Sequence, residues 1–339
     1  MTAVLECRTV PVPRDTVISR PPSLEDLEQY RRELTGYCYR MLGSSFEADD
    51  AVQETIVRAW RALAGFEGRS SVRSWLYRIA TNVCLDLLRG RQRRALAMDL
   101  GPASSADAFT ADTRPEPAWL QPIPDERFLA PGGDPAEAAA ARETVRLAFV
   151  VALQRLPPRQ RAVLILRDVL RWHAAEVAEL LETTVASVNS ALQRAHATMA
   201  EHPVDPFEAE GDAGVDTEQQ ALLARYVDAF ERYDIASLVE LLRDDAVMSM
   251  PPYDFWLQGP TEMGRWFLGG GKGCRGSRLL PTAANGAPAF GSYRIDPAGG
   301  HSPWAIQVIE ISGDRIVGHH SFLDTRLFAA FGLPEHLPD

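Results

Sequence analysis

Cysteine is scarce in this 339-residue chain. The four present, Cys7, Cys38, Cys84 and Cys274, lie far apart and form no C-x-x-C pair. They suggest neither a disulfide framework nor a metal site, which fits a reducing, cytoplasmic setting. Long apolar runs are missing too: none approaches the roughly 20 residues that cross a bilayer, so no membrane partner is expected. Met1 to Pro22 has no apolar signal core, and Pro11, Pro13, Pro21 and Pro22 stand among charges there, as in a disordered tail. A net positive charge is absent as well. The 35 Lys and Arg face 46 Asp and Glu, for a formal charge of −11, which argues against indiscriminate coating of nucleic acid. A nucleic-acid reader of this charge must gather its cations in one place and carry compensating acid elsewhere. No phosphate-binding motif is complete. Gly269-Gly270-Gly271-Lys272-Gly273 lacks the Walker spacing and the Ser or Thr after the lysine, so it reads as a flexible loop and no cofactor is expected.

What is present divides the chain into blocks. With 46% hydrophobic and 24% charged residues, the composition is ordinary for a globular protein, and the length suits two or three domains. Residues 23–95 read as helical throughout, with one apolar stripe through Leu34, Tyr37, Met41 and Leu42 and another through Val52, Ile56, Ala59, Trp60 and Leu63. Periodicity stops over 96–134. Pro102, Pro115, Pro117, Pro122, Pro124 and Pro131, among Asp99, Asp107, Asp112, Glu116, Asp125 and Glu126, mark an acidic linker there. Helical periodicity returns over 135–201, and a second linker, 202–216, leads to a last block, 217–334. This block opens with helices over Glu218–Tyr233 and Ile235–Leu242. Strands follow at Ala246–Met250, Arg278–Ala284, Ala287–Ile295, Trp304–Ile311 and Arg315–His320. Asn285-Gly286 and Gly313-Asp314 are two-residue hairpin signals. Helices followed by a curved antiparallel sheet make an α+β domain.

Two segments carry chemistry. Ala174 to Leu181 supplies a short helix with Val177, Leu180 and Leu181 on one face. Glu182-Thr183-Thr184 forms a turn with a hydroxyl placed as a cap, and a second helix starts at Val185. With Val185, Val188 and Leu192 inward, Ser187, Asn189, Ser190, Gln193 and Arg194 point outward. Those side chains hydrogen-bond to base edges and phosphates in a major groove. From Arg58 to Arg94, nine arginines (Arg58, Arg61, Arg69, Arg73, Arg78, Arg89, Arg91, Arg93 and Arg94) face only Glu67 and Asp86. This is the local positive patch that the acidic total demands.

Taken in order, these blocks resemble an extracytoplasmic-function (group IV) sigma factor of the sigma-70 family. Asp49 to Trp60 resembles the family helix that docks on core RNA polymerase, with Asp49, Asp50, Gln53, Glu54 and Arg58 on its polar face. Phe66 to Asn82 is similar to the segment that reads the −10 promoter element. The resemblance implies DNA contacts from Phe66, Arg69, Ser70, Ser71, Arg73, Arg78, Asn82 and Arg89. Bases of a melted promoter are held in polar or aromatic pockets while arginines hold the backbone. Trp75 and Leu76, on the apolar face with Ile79 and Val83, read as core. Leu156 to Leu164 resembles the lead-in to the −35-reading helix-turn-helix, so Ser187, Asn189, Ser190, Gln193 and Arg194 become the −35 contacts. Two departures from the family pattern stand out: Glu182 where glycine is usual, and Asn189 and Ala191 where basic residues are common. Fewer cations imply weaker, less salt-steep −35 binding. The resemblance implies as partners core RNA polymerase (beta-prime clamp and beta flap) and promoter DNA. It also implies that the acidic linker threads toward the polymerase active centre.

The last block resembles a SnoaL-like domain of the nuclear transport factor 2-like superfamily, on the helix-helix-strand opening Tyr226 to Asp234 and Leu241 to Val247. The implied architecture is two all-α domains, sigma regions 2 and 4, followed by an α+β cone. That superfamily holds isomerases and cyclases as well as non-catalytic regulatory domains, so a small-molecule ligand is a third candidate partner. Candidate acid–base groups are Asp254, His301, His319, His320 and Asp324. Tyr253, Asp254, Trp256, Tyr293, Trp304 and His319 form the candidate cone pocket. No spacing matches them as an acid–base pair, and no catalytic residue is assigned. The expected role is an initiation factor with a built-in regulator; the alternative is an isomerase- or cyclase-like enzyme fused to it.

Overall fold

The computed structural model describes residues 23–68, 70–130, 132, 134–201 and 217–339. The first helical unit holds α1 (Leu24–Glu28), α2 (Arg31–Leu42), α3 (Ser45–Ala62) and α4 (Val72–Leu87). Hydroxyls start three of these helices. Ser23 caps α1 in a reciprocal box with Asp26, Ser44 accepts from the Glu47 N–H, and Ser71 accepts from the Ser74 N–H. The stripe Leu34, Tyr37, Met41 and Leu42 is buried against Val52, Ile56 and Ala59. Trp60 departs from the expected stripe and is 58% exposed. The buried line of α3 runs through Val52, Thr55, Ile56 and Ala59, and Trp60 falls at its edge.

The second helical unit comprises α5 (Pro135–Glu143), α6 (Leu147–Gln154), α7 (Pro158–Leu164), α8 (Ala174–Leu180) and α9 (Val185–Glu201). A π-helical turn, Ile165–Val169, extends α7. The α8–turn–α9 unit forms as expected, with Thr184 Oγ1 accepting from the Ser187 N–H at 3.1 Å. Glu182 adopts φ 51°, the left-handed conformation that favours glycine. Val185, expected inward, is 43% exposed at the first turn of α9, whereas Val188 is buried.

The last unit contains α10 (Thr217–Glu231), α11 (Ile235–Glu240), β1 (Leu242–Ser249), β2 (Trp256–Gln258), α12 (Pro260–Leu268), β3 (Arg278–Ala284), β4 (Ala287–Ile295), β5 (His301–Ser312), β6 (Arg315–Phe322) and α13 (Leu327–Ala330). Its six strands lie in the order β2-β1-β6-β5-β4-β3. The sheet is mixed rather than antiparallel throughout, because β1 runs parallel to β6. Helix α12 was not expected. Pro260 at its start and Met263, Trp266 and Phe267 at helical spacing seat it in the cone core. The glycines after it are not a free loop: they form a 3₁₀ turn against the Trp266 ring. A Cβ on Gly270 would come within 2.4 Å of that ring.

One face of the sheet packs on α10–α12. The other contributes Ala289, Ile306, Val308 and Phe322 to a hydrophobic cluster that also contains Leu34, Leu120, Ile123, Val145 and Leu153. The 96–134 segment, expected as an acidic linker, is folded onto the cone. Phe109 packs against the rings of Tyr253, Phe255 and Trp266 at 5.0–5.2 Å. The Ala106 N–H donates to Glu262 at 2.7 Å, and the Arg114 N–H to the Pro252 carbonyl at 3.0 Å. Its prolines remove backbone donors that would otherwise need partners on this route.

The three units meet at the β3–β4 hairpin. Asn285, with φ 55° and almost fully buried, exchanges two hydrogen bonds with Ile123: its N–H donates to the Ile123 carbonyl (3.1 Å), and its Oδ1 accepts from the Ile123 N–H (3.0 Å). Its Nδ2 donates to Tyr39 Oη (2.7 Å) and to the Val145 carbonyl (2.6 Å). The Gly286 N–H donates to Asp125 at 2.8 Å, and Arg142 stands 3.8 Å from that carboxylate. A Cβ on Gly286 would lie 2.7 Å from Arg142 Cβ. The helical units also join directly. The buried Arg161 guanidinium donates to the Met41 carbonyl at the C-terminal end of α2 and to the Gln154 and Leu156 carbonyls at and just beyond the end of α6, where carbonyls carry partial negative charge. Asn285→Ala should lower stability by about 2–4 kcal/mol, because it strands buried donors and acceptors and places alanine at positive φ. Urea midpoints should show this loss, against a change within about 0.5 kcal/mol for the exposed Asn189→Ala.

Candidate polymerase and promoter interfaces

Helix α3 presents Asp50 and Gln53 to solvent. Glu54 and Arg58 pair across one turn at 2.6 Å. Asp49 is engaged by Arg127 of the 96–134 segment at 3.0 Å, and Gln53 accepts from Arg31 at 3.4 Å. Partial burial pushes the Asp49 carboxyl up, against the lowering pull of Arg127 and Arg31. The expected docking face is therefore one surface, with an edge touched by the segment.

The expected −10 residues divide into two sets. Asn82 and Arg89 are exposed, and Arg78 is half-buried. Arg89 lies 3.4 Å from Asp86. Ser70 is half-buried and Ser71 is spent as the α4 cap. Phe66 packs on Trp75 with ring centroids 4.8 Å apart. Arg69 falls outside the described residues. Arg73 is turned away from an open DNA-facing role: its Nε donates to Glu33 at 2.6 Å. Its guanidinium lies 5.4 Å from the Tyr77 ring and 5.3 Å from the Trp172 ring. Tyr77 donates to the same Glu33 at 2.8 Å and meets Trp172 at 5.0 Å. Trp172 precedes α8, so this cluster fastens α4 to the helix-turn-helix unit.

On α9, Ser187, Asn189, Ser190, Gln193 and Arg194 all lie on the exposed side. His196, one turn on, pairs with Asp168 at 2.5 Å.

The six expected cone-pocket residues do not share a cavity. Tyr253, Asp254 and Trp256 sit at the β1–β2 edge against the 96–134 segment. There Arg114 grips Asp254 at 2.6 Å, and Trp256 Nε1 donates to the Gly101 carbonyl at 2.9 Å. Tyr293 faces α13, its hydroxyl donating to the Pro334 carbonyl at 2.8 Å. Trp304 is covered by the Arg294 guanidinium, 3.3 Å from the ring centroid. The six come from the β1–β2 connection and from four different strands, β2, β4, β5 and β6, and along a strand alternate positions point to opposite faces. Only His319 lies inside the cone, among Tyr226, Phe230 and Phe267. Tyr226 Oη donates to Gln307 Oε1 and lies 2.9 Å from His319 Nε2. With its one proton given to Gln307, the hydroxyl accepts from Nε2–H, a tautomer assigned from the network. Nδ1 is then bare, and among the described residues no partner meets it. The sequence signal for this cluster is Gln307, a polar side chain inside an apolar strand. The other candidate acid–base groups are spent elsewhere. His320 contacts Ser249 (2.9 Å) and Glu310 (3.3 Å), His301 the Gly276 carbonyl (3.0 Å), and Asp324 Arg326 (2.6 Å). Among the described residues no three metal-ligating side chains converge, and no helix is long and apolar enough to cross a membrane.

Comparison with known proteins identifies the family of the two helical units. Residues 27–94 match the family described as Sigma-70 region 2, and residues 146–199 match Sigma-70, region 4. The chain is 47% identical over 316 residues to the ECF RNA polymerase sigma factor SigG of Mycobacterium tuberculosis, covering 91% of this chain and 83% of the relative. It is 27% identical over 230 residues to SigJ of the same organism, covering 67% of this chain and 64% of that one. The crystal structure of Mycobacterium tuberculosis SigJ superposes with a TM-score of 0.59 at 21% identity. That match covers 92% of this chain and all of the other, and so extends the likeness of fold through the cone.

One buried group, His319, and one half-buried group, Asp125, predict opposite pH slopes. Burial, and the neighbouring His320, lower His319 from 6.5 to about 4. The unfolded chain therefore takes up a proton that the folded one resists, and this contribution to stability is lost as pH falls from 6.5 to 4. Burial raises Asp125 from 3.8 to about 6, against the Gly286 N–H and Arg142, so its contribution grows as pH falls from 6 to 4. Each amounts to about 3 kcal/mol. Between pH 6 and 4, His319→Gln should become more stable relative to the parent as pH falls, and Asp125→Asn less stable. Urea unfolding across that window checks both slopes; parallel curves would contradict them.

Proposed function

The chain belongs to the extracytoplasmic-function RNA polymerase sigma factors, and we propose from its geometry how its residues divide that work and how the cone regulates it. The α3 face of Asp49, Asp50, Gln53, Glu54 and Arg58 meets core polymerase. Asn82, with Arg78 and Arg89, serves the −10 element, and the exposed side of α9 reads the −35 element. Phe66 and Arg73 support the −10 reader from beneath. The cone is a restraint on these readers rather than an enzyme. In support of that, the buried His319 faces a tyrosine and a glutamine rather than a carboxylate, and each other candidate base is already partnered, the buried His320 by Ser249 and Glu310.

The observation that carries the regulatory reading is the contact of Tyr77 on α4 with Trp172 before α8 at 5.0 Å. Elements named −10 and −35 lie about 25 base pairs apart, roughly 80 Å of duplex at about 3.4 Å per step. Readers locked together at that contact cannot occupy both, so this is a closed form. The 96–134 segment, fully extended, reaches roughly 130 Å, ample for the open form. Asn285 of the cone bonds to the first helical unit, the segment and the start of the second unit at once, and so favours closure.

Run-off transcription with core polymerase tests these roles. Arg194→Ala should weaken −35 duplex binding by about 1–3 kcal/mol, and Asn82→Ala should impair melting while leaving duplex −35 affinity unchanged. Asp50→Arg should reduce core binding in a pull-down without altering the melting curve. At sub-saturating polymerase, Asn285→Ala should raise promoter-directed transcription by about tenfold. Unchanged output from a folded Asn285→Ala protein, together with substrate turnover by the full chain, would replace the regulator with a fused enzyme.

A further inference from the structure

A cleft of about 290 Å³ lies between the 96–134 segment and the cone, and none of the assignments above uses it. Its walls are apolar: Trp119 and Leu120 from the segment, and Pro251, Phe322, Leu323 and Leu327 from the cone. Arg114, Glu116, Gln121, Pro252, Asp324 and Arg326 complete the lining. This is the small end of the range for small-molecule sites, roughly 300–1,000 Å³, which typically combine apolar walls with a few convergent polar groups.

The charges indicate what kind of molecule fits. Arg114 holds Asp254 through Nε alone, 2.6 Å from both oxygens. Arg326 uses Nε and Nη2 on Asp324, and Nη2 on Glu116 at 3.1 Å. Among the described residues, the two Nη groups of Arg114 and Nη1 of Arg326 donate to no protein acceptor. Planar guanidinium donors beside an apolar wall match a carboxylate carried on an apolar body.

The same cleft touches a continuous hydrogen-bond chain. Glu116 accepts from Arg326 on one oxygen and from Gln121 Nε2, at 3.2 Å, on the other. Gln121 Oε1 accepts from the Ser44 hydroxyl, and Ser44 caps α3, accepting from the Glu47 N–H at 3.2 Å. A carboxylate on Arg326 Nη1 draws on the same guanidinium that Glu116 holds through Nη2, weakens that pair, and so acts on the cap of the helix assigned to polymerase docking.

We infer that this cleft binds a small apolar monocarboxylate between Arg114 and Arg326, and that its occupancy is relayed through Glu116, Gln121 and Ser44 to α3. The relay rests on the assignment of α3 to polymerase docking; the site does not. Titration calorimetry on the full chain with benzoate and octanoate, their neutral counterparts benzyl alcohol and octanol, and inorganic phosphate tests the site. At least one carboxylate should bind saturably with one-to-one stoichiometry, at least tenfold tighter than its neutral counterpart and than phosphate. Arg114→Gln should weaken it at least tenfold. Leu323→Trp, which fills the cleft and leaves both arginines in place, should abolish it, with circular dichroism confirming the fold of each variant. No saturable binding, equal binding of the neutral counterpart, or binding retained in folded Leu323→Trp overturns the site. A saturating carboxylate should also shift core-polymerase affinity at least threefold. Binding without that shift overturns the relay, whereas failure of the docking assignment itself would appear as unchanged core binding in the Asp50→Arg pull-down.

Discussion

The arrangement of this molecule depends on satisfying backbone polar groups where three folding units converge. The Ile123 N–H and carbonyl belong to a segment with no helix or strand of its own at that point, and the Val145 carbonyl lies between two helices. Each would be buried without a partner, at a cost of about 1–3 kcal/mol apiece. One asparagine meets all of them, because its backbone is in the left-handed region and its amide carries donor and acceptor side by side. The wide hydrophobic cluster continuous through the helical units and the back of the sheet supplies most of the burial. It is non-directional, however, and cannot by itself fix how the units are oriented. The hairpin supplies the direction.

Cations at the other joints show a second economy of design. The sequence contains a single lysine, Lys272, so every other basic side chain is a guanidinium. A planar fork with five donors can be buried on carbonyls, as Arg161 is, or laid between a carboxylate and two aromatic rings, as Arg73 is. An ammonium fits neither geometry. Arginines that would read as nucleic-acid contacts by charge count thus divide between surface and joint. Arg73 goes to the joint because Glu33 lies beneath it.

Much of the local architecture was legible in the sequence. Helix α9 started at its threonine cap, the helix-turn-helix followed its apolar spacing, and Asn285-Gly286 announced its hairpin. Glu182 marked a position where the backbone wants glycine, and the chain adopts positive φ there regardless. Three features escaped for identifiable physical reasons. Helix α12 is short and bracketed by glycines, so turn signals masked the Met263, Trp266 and Phe267 spacing. The parallel pairing of β1 with β6 is a long-range choice that no local pattern encodes. The cone-pocket residues were grouped by chemical type, whereas they come from different strands and different faces; the cluster around His319 is held together by Tyr226 and Gln307 from elements far apart in sequence. The 96–134 segment was misjudged in the same way. Proline and acid suggest a linker, but Phe109, Trp119, Leu120 and Ile123 give it enough apolar surface to lie down.

The hairpin also has a chemical lifetime. Asparagine followed by glycine ages by attack of the glycine nitrogen on the asparagine amide carbon, a cyclisation that needs a mobile backbone and a free amide. Here the Gly286 N–H is committed to Asp125, and the Asn285 amide is held by acceptors from two other units. While the units are together the pair is locked out of the reactive geometry; once they part, the same residues become an ordinary exposed Asn-Gly turn. Ageing would leave an acid where an amide had donated to a carbonyl and a phenol, and the joint could not re-form as before. Each molecule would then carry a covalent record of how long it had been open.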